Sequence, residues 1–298
     1  MARLGATLTL SLSLGLSLAG AAHGEPQRTS LNASAWVTGP ETKVRLIGFA
    51  PGQGGTLYAG LQIRMTPGWK TYWRAPGEGG GVPPLLTLNR GSRNIKRAVM
   101  LFPAPVRLAD LEGDSIGYRD GVVLPVRIAR HAVSRRARLD VDLFYGVCRD
   151  VCIPVQVRLA IDVPPGGVNS ANVPERLAAA LDALPKTVTR DRLPRLEGAR
   201  LIEGPKRRLE VTALFAANAK AADLFALAPP GTYLPMARRG RVVVGPQRVG
   251  PGLRGKRVRF KIPLRGSVDL KTLYGQPLTF TLVSERGSTQ QVWSFPLR

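Results

Sequence analysis

Two cysteines are the residues of this chain that are best suited to chemistry. Cys148 and Cys152 are its only cysteines, and in the surrounding segment, residues 139–163, apolar and polar residues alternate on both sides of the pair. This alternation is typical of two β-strands in a hairpin. On one straight strand the two Cα atoms would be roughly 13 Å apart, too far for a disulfide, whereas a turn between the cysteines brings them opposite each other. The sequence therefore predicts a hairpin in which the cysteines can pair.

The direction of the two cysteine side chains follows from their positions along the strands. Side chains alternate between the two faces of a strand, so Cys148 shares a face with Asp140 and Asp142, and Cys152 shares one with Arg158. We therefore expect both cysteines on the polar face, at an exposed hairpin tip. An accessible disulfide in a tight loop is of the labile kind that exchanges with partner thiols.

The start of the chain resembles an export signal. Arg3 is followed by a leucine-rich apolar run, residues 4–18, and by small residues at 19–22. This order is typical of a secretory signal peptide, predicted here as residues 1–24; the alternative is an uncleaved N-terminal anchor. No later stretch approaches the roughly 20 apolar residues of a membrane span, so we expect no transmembrane segment in the mature chain. Export to the periplasm would place the cysteines in an oxidising compartment.

The charge balance leaves several kinds of partner open. The net charge is +23, from 43 Lys plus Arg against 20 Asp plus Glu. Such a balance occurs in proteins that bind nucleic acid, anionic membrane surfaces or acidic proteins. The basic residues are scattered and form no nucleic-acid-binding motif, so we predict no nucleic-acid partner. An ordinary solvated surface and attraction to acidic partners or to the membrane surface both fit the composition.

The remaining residue inventory narrows the chemistry. Once the signal peptide is removed, His131 is the only histidine, and its position at a strand end is typical of a solvated residue. A hydrolase needs a base next to its nucleophile, and the chain offers at most this one histidine. A structural zinc site needs four ligands, and two cysteines with one histidine fall short of that number. Both functions are therefore disfavoured. Copper(I) held by two thiolates and a methionine stays an alternative. The chemistry favoured for Cys148 and Cys152 is thiol–disulfide exchange, for which we expect no cofactor.

Charged neighbours could tune this exchange. Arg149 next to Cys148 would favour a thiolate, and Asp150 would oppose it, so the sequence leaves open which cysteine attacks. Asp114, with the acidic residues at 110 and 112, lies in a loop that could approach the pair.

Short apolar–polar alternations separated by Pro and Gly predict an all-β chain. We expect an antiparallel β-sandwich over residues 30–165, a helical connector over 166–189 with Asn172 as N-cap, and a second β-sandwich over 190–298. One further helix is expected near residues 219–227.

Four segments together resemble a known family. They are YGVCRDVCIPVQ at residues 145–156, GYRDGVVLPV at 117–126, PGWKTYWRAPGEGGGVPP at 67–84 and FPAP at 102–105. They resemble the periplasmic N-terminal (alpha) domain of the DsbD-type protein-disulfide reductases. The likeness is greatest to the related suppressor-of-copper-sensitivity ScsB branch, whose alpha region looks like two immunoglobulin-like units. The resemblance implies two immunoglobulin-like antiparallel β-sandwich domains here.

The resemblance also implies roles for individual residues. Cys148 and Cys152 match the redox pair, and the loop before Tyr118, residues 111–117, matches the cap that shields the disulfide from wrong partners. The cysteine spacing here is shorter than in the best-known members, and the cap lacks their Phe-Tyr pair, with Ile116 as the nearest apolar substitute. The shielding is therefore expected to be weaker or differently built. The predicted cap and tuning residues are Asp114, Ile116, Tyr118, Tyr145, Arg149 and Asp150.

In the family, the alpha domain receives electrons from a membrane-embedded thiol domain through a thioredoxin-like domain and reduces periplasmic oxidoreductases. The present sequence ends at Arg298 with neither of those domains, so we expect its membrane thiol donor or thioredoxin-like donor to be a separate polypeptide. The leading hypothesis is a periplasmic thiol–disulfide exchange protein with periplasmic thiol oxidoreductases as partners. The alternatives are an envelope binding module for metal or copper stress with a structural disulfide, and a membrane-surface or polyanion binder.

Overall fold

Alternating apolar residues build four β-sheets in the computed structural model of the protein. The predicted signal peptide, residues 1–24, lies outside the described residues, and so do residue 110 and the first two residues, 111 and 112, of the predicted cap. The structure describes residues 33–109, 113–166, 169, 172–189, 191–229, 232–264, 268 and 270–296.

Among the described residues of the first half of the chain, eleven strands form two sheets. The first sheet has the strand order β1-β2-β3-β9-β6, and the second has the order β11-β10-β4-β8-β7, with β5 paired to β10. The strands are β1 Val37–Gly39, β2 Thr42–Pro51, β3 Leu57–Met65, β4 Lys70–Gly77, β5 Leu85–Leu88, β6 Ile95–Met100, β7 Val106–Leu108, β8 Ser115–Arg119, β9 Gly121–Arg130, β10 Ala137–Cys148 and β11 Cys152–Val163. A short 3-10 turn, Gln53–Gly55, precedes β3.

The two sheets pack face to face because each presents one apolar face. On β10 every second side chain, from Leu139 to Val147, is fully buried, and these side chains share one core with Leu46 of β2 and Leu61 of β3. All strand pairings in the two sheets are antiparallel. The predicted antiparallel β-sandwich is therefore confirmed.

The second half of the chain forms another pair of sheets around its own core. Their strand orders are β12-β19-β18-β15 and β13-β14-β17-β16, and Phe215, Phe260 and Phe280 are fully buried between them. The all-β fold class with two sandwiches is confirmed. The strands are β12 Lys186–Thr187, β13 Arg195–Ile202, β14 Arg208–Ala216, β15 Asp223–Leu227, β16 Arg241–Gly250, β17 Leu253–Pro263, β18 Pro277–Ser284 and β19 Gly287–Ser294, with a 3-10 turn at Leu270–Leu273.

A single α-helix, α1 Glu175–Asp182, lies between these halves in the described part of the chain. Its N-cap is Pro174 rather than the predicted Asn172, because a proline disfavours the helical conformation at the residue before it, and the backbone at Pro174 is itself non-helical, with ψ at 129°. Leu177 is fully buried against Ile47 and Ala50 of β2, so the connector packs on the first sandwich. Among the described residues, no helix has the length and apolar character of a membrane span.

The helix expected near residues 219–227 is wrong, because β15 occupies the end of that segment. Leu224 belongs to the core of the second half, whereas Phe225 packs into the core of the first half against Trp73, with ring centroids 6.0 Å apart. Both faces of β15 are therefore buried, which removes the apolar–polar alternation that marks a strand in a sequence. The boundaries predicted near residues 165 and 190 stay predictions, since the first core also takes in Met236.

One buried carboxylate on β14 makes stability depend on pH. Glu210 is only 4% exposed and accepts hydrogen bonds from Arg200 at 2.7 Å and Arg208 at 2.9 Å. The Arg200 hydrogen bond, helped by Arg208, lowers the pKa of Glu210 although burial acts in the opposite direction. A lowered folded-state pKa stabilises the protein above the unfolded-state value of about 4.3, and this stabilisation is lost as the pH falls through the folded-state pKa.

Glu210→Gln is therefore expected to lower the free energy of unfolding by about 1–2 kcal/mol at pH 7, because Arg200 is largely solvated and screens the pair. The difference from the native protein should shrink at a pH below the lowered folded-state pKa, where the carboxylate is protonated in both states. Urea unfolding at both pH values measures this. Asp162→Asn, which removes an exposed pair with Arg138, is the control and should cost less than about 0.5 kcal/mol. An equal loss for Glu210→Gln at both pH values would assign the effect to packing.

Candidate functional site

The cysteine hairpin is regular up to its last residue pair. The β10–β11 register runs without a shift from the pair of Ala137 and Val163 to the pair of Cys148 and Cys152. The two cysteines form a disulfide, with Cα atoms 4.2 Å apart, across a turn closed by a hydrogen bond from the Arg149 N–H to the carbonyl oxygen of Val151. The predicted hairpin and the pairing of its cysteines are confirmed.

The two sulfur atoms lie in different environments. Cys152 is exposed, whereas Cys148 is 1% exposed, so the prediction that both cysteines are accessible is wrong for Cys148. The reason is tertiary: β10 pairs with β4, which places Lys70 opposite Cys148. The same face of the sheet is then covered by Tyr72 from β4. The disulfide therefore joins an exposed residue, Cys152, to a buried one, Cys148.

Tyr72 is the residue that contacts the disulfide most closely through a polar atom. Its hydroxyl donates a hydrogen bond to Sγ of Cys148 at 2.8 Å and lies 3.3 Å from Sγ of Cys152. The ring is 1% exposed, so this contact is shielded from water. Sequence reasoning did not select Tyr72 as a site residue. Its position within residues 67–84, one of the segments that resemble the family, could have indicated that Tyr72 belongs to the site.

A glycine-rich loop, residues 77–82, packs on the ring of Tyr72, and we call it the cover loop. Gly81 has a φ of +127°, and a Cβ atom there would lie 2.1 Å from Cζ of Tyr72, so only glycine allows this approach. Val82 accepts a hydrogen bond at 2.9 Å from the N–H of Gly146, two residues before Cys148. Gly81 therefore lets the backbone lie directly over the tyrosine, and the cover loop is part of the site.

Three of the predicted cap and tuning residues lie on the other face of this sheet. Ile116, Tyr118 and Tyr145 belong to the core of the first sandwich. The hydroxyl of Tyr118 donates to the carbonyl oxygen of Pro103 at 2.8 Å, and that of Tyr145 is 3.0 Å from Oγ1 of Thr42. Burial raises the pKa of both tyrosines, so both are neutral at pH 7. The structure does not bring these three side chains to the disulfide.

The predicted charged residues divide between the tip and the cover loop. Arg149 and Asp150 form an exposed ion pair at 2.9 Å, and the Arg149 guanidinium lies 5.6 Å from the ring centroid of Trp69. Asp114 pairs with Arg107 at 3.2 Å, and its backbone contacts the cover loop rather than the cysteines. The acidic residues at 110 and 112 lie outside the described residues. An exposed pair such as Arg149–Asp150 has a small net effect on its surroundings.

The disulfide hairpin, Tyr72 and the cover loop all lie within residues 40–164, which one protein-family model matches. The family model for the N-terminal region of the thiol:disulfide interchange protein DsbD matches residues 40–164. This part of the chain is similar to the DsbD N-terminal domain. The match supports membership of a thiol–disulfide exchange family, with its cysteine pair at disulfide distance. The matched residues thus contain both cysteines and Tyr72, whose hydroxyl contacts the two sulfur atoms.

Solved structures extend the likeness beyond residues 40–164. The crystal structure of the N-terminal periplasmic domain of ScsB from Proteus mirabilis matches with a TM-score of 0.65 at 18% sequence identity, over 90% of this chain and 100% of that chain. This likeness shows a shared fold that includes the second half. A crystal structure of bovine butyrophilin matches over 80% of this chain and 91% of its own at 12% identity, but its TM-score of 0.20 carries no argument. A search of the curated proteins finds no match.

Proposed function

We propose that this protein is a periplasmic thiol–disulfide exchange protein that uses the Cys148–Cys152 pair. It relays electrons between a separate donor, either a membrane-embedded thiol protein or a thioredoxin-like protein, and periplasmic thiol oxidoreductases. The observation that carries the proposal is the asymmetry of the disulfide: Cys152 is exposed, and the buried Cys148 accepts a hydrogen bond from Tyr72. An exchanging disulfide needs one sulfur atom that a partner reaches and a second that leaves as a stabilised thiolate.

The first step of the proposed reaction is attack on Cys152. A partner thiolate forms a bond to Sγ of Cys152 while the bond between the two cysteine sulfurs breaks. The electron pair of the broken bond stays on Sγ of Cys148, which becomes a thiolate. The Tyr72 hydroxyl, 2.8 Å from that sulfur atom, donates a hydrogen bond to the developing negative charge. The products are a mixed disulfide through Cys152 and a buried, hydrogen-bonded thiolate.

The second step transfers both electrons to this protein. A second thiolate of the partner attacks the partner's own sulfur atom in the mixed disulfide and releases Cys152 as a thiolate. The partner then carries a disulfide, and this protein carries two thiols once each thiolate takes up a proton. The reverse sequence, with Cys152 attacking a partner disulfide and Cys148 resolving the product, delivers the electrons onward. One site therefore serves both the donor and the acceptor.

A periplasmic location fits both ends of this relay. The solved structure to which the chain is similar is described as a periplasmic domain, and the sequence begins with an apolar, signal-like segment, residues 1–24. An oxidising compartment keeps an unreduced pair in the disulfide state, so reduction requires a dedicated donor. The proposed donor protein meets this requirement.

Alkylation mapping tests the proposed function. The purified mature protein is mixed with equimolar reduced thioredoxin, quenched with acid, alkylated with N-ethylmaleimide in denaturant so that the buried Cys148 also reacts, and analysed by peptide mass. We expect both cysteines to become alkylated within minutes, because an accessible disulfide exchanges with a reactive dithiol. The control is a thioredoxin with both redox cysteines replaced by serine, which should leave the disulfide intact.

Failure of Cys148 and Cys152 to change state with active thioredoxin would contradict the proposal. A structural disulfide would instead appear as a stability loss in the variant with both Cys148→Ser and Cys152→Ser, of about 2–5 kcal/mol.

A further inference from the structure

Arg107 of β7 joins the two halves of the chain through a buried hydrogen-bond cluster. Its side chain is 5% exposed, and Nε and Nη2 donate to the two carboxylate oxygens of Asp223 at 3.0 and 2.8 Å. Nη2 also donates to the carbonyl oxygen of Ala237 at 2.7 Å, and Nη1 donates to Asp114 at 3.2 Å. Two-point contact between a guanidinium and a carboxylate is both strong and directional. Arg107 therefore fixes Asp114 relative to β15 and the segment after it.

The residues tied by Arg107 hold the start of the cover loop. The carbonyl oxygen of Asp114 accepts hydrogen bonds from the N–H groups of Glu78 at 3.0 Å and Gly79 at 3.2 Å. The Glu78 carboxylate accepts a hydrogen bond from the N–H of Met236 at 3.2 Å. A Cβ atom at Gly77 would lie 2.7 Å from the Asp114 oxygen and 2.8 Å from the sulfur atom of Met236. The start of the cover loop is therefore held between Asp114 of the first half and Met236 of the second half, and we call these two contacts the clamp.

The strand that carries Tyr72 is also in contact with the second half. Trp73 packs against Phe225 of β15 with ring centroids 6.0 Å apart. Arg74 donates a hydrogen bond to the side-chain oxygen of Gln290 on β19 at 2.6 Å. Contacts from the second half therefore reach both the strand beneath the Tyr72 ring and the loop above it.

We propose that Arg107 and Asp223 are positioning residues, which hold the cover loop over Tyr72 and so keep Cys148 protected while Cys152 stays accessible. The inference rests on the proposed function, because it states that contacts from the second half of the chain keep Cys152 more reactive than Cys148. Breaking the Arg107–Asp223 contact leaves a buried guanidinium without its main counter-charge and frees one side of the clamp. The cover loop then opens more often, and each opening exposes Cys148.

The test measures the two thiols separately in the reduced protein. Short pulses of N-ethylmaleimide are followed by trypsin, whose cleavage after Arg149 separates Cys148 from Cys152. In the native protein Cys148 should react far more slowly than Cys152, because it is buried. In Asp223→Ala the rate at Cys148 is expected to rise by at least about tenfold, with less than about a twofold change at Cys152, because only local opening is altered.

The matched control is Glu197→Ala, which removes another ion pair of the second half, between Glu197 and Arg257. It should leave both rates within about twofold of the native values, since surface ion pairs contribute little to local stability. Equal rates at Cys148 in Asp223→Ala and Glu197→Ala would overturn the inference. Equal acceleration of both cysteines in Asp223→Ala would also overturn it, since that result indicates general loosening.

If Asp223→Ala does not fold, a second pair of variants tests whether contacts from the second half hold the cover loop and protect Cys148. Glu78 is exposed, so its replacement is compatible with folding. Glu78→Ala, which removes the acceptor for the Met236 N–H, should accelerate alkylation of Cys148 selectively, by about threefold for a single hydrogen bond. Glu78→Gln keeps an acceptor oxygen and should restore the native rate; a failure to restore it would overturn the inference. These rates need no redox partner, so the inference can fail while exchange with thioredoxin succeeds, and the reverse.

Discussion

A Cys148→Ser variant is expected to accumulate mixed disulfides through Cys152, whereas a Cys152→Ser variant is expected to accumulate almost none. Cys152 is exposed and meets partner sulfur atoms directly, but Cys148 is 1% exposed beneath the surface. A reaction at Cys148 requires local opening; an opening free energy of about 3 kcal/mol would reduce trapping by about 100-fold. Without its resolving thiol, the Cys148→Ser variant cannot release a partner held through Cys152.

Non-reducing electrophoresis of periplasmic extracts mixed with each variant measures this asymmetry, with mass spectrometry to identify the bonded cysteine. The variant that carries both serines is the control and should trap nothing. Unfolding curves confirm that the single variants are folded, so that a lack of trapping reports reactivity. Equal trapping by the two single variants would contradict the assignment of Cys152 as the residue that meets partners. That result would place the buried sulfur within reach of partners in solution.

The Tyr72→Phe variant is expected to slow disulfide exchange by roughly 10- to 100-fold, because it removes the donor next to the leaving sulfur. The hydroxyl lies 2.8 Å from Sγ of Cys148, and a hydrogen bond to a charged group contributes about 1.5–3 kcal/mol. Phenylalanine keeps the ring that packs under Gly81, so the cover loop should stay in place. Stopped-flow measurement of reduction by excess reduced thioredoxin gives the rate.

Tyr145→Phe is the matched comparison for Tyr72→Phe. It also deletes one buried hydroxyl, but Tyr145 lies on the opposite face of the sheet from Tyr72, and its hydroxyl is 3.0 Å from Oγ1 of Thr42 on β2 of the other sheet. We expect the exchange rate of Tyr145→Phe to stay within about twofold of the native rate, since the lost bond lies away from the sulfur atoms. Similar losses in both variants would mean that sheet stability, rather than a donor at the leaving sulfur, controls the reaction.

The hairpin and its cysteine pair could be predicted from the sequence because their cause is local. Successive side chains of a strand point to opposite faces, so every second residue from Leu139 to Val147 could be assigned to the buried face of the sheet from the sequence. The polar face was also assigned correctly, since Cys148 lies on the face of Asp140 and Tyr72 rather than that of Tyr145. Periodicity could not tell that this polar face becomes covered near the tip.

The errors have one physical origin, which is burial by segments that are distant in the chain. Cys148 is buried where β4 pairs with β10, with Tyr72 of β4 next to its sulfur atom and the cover loop packed on the Tyr72 ring. The 219–227 segment was read as helical because β15 is buried on both faces, with Leu224 and Phe225 in two different cores. A strand that is buried on both sides has no alternation to reveal it.

By itself, the sequence determined the all-β fold class, the cysteine hairpin and the resemblance to DsbD-type domains, because each depends on residues that are close together in the chain. The tertiary structure alone decided which cysteine is exposed and that Tyr72 donates to the buried one. It also decided that Asp223, from the second half, reaches the cover loop through Arg107. These features depend on how sheets pack against each other, and packing brings together residues whose separation along the chain carries no local signal.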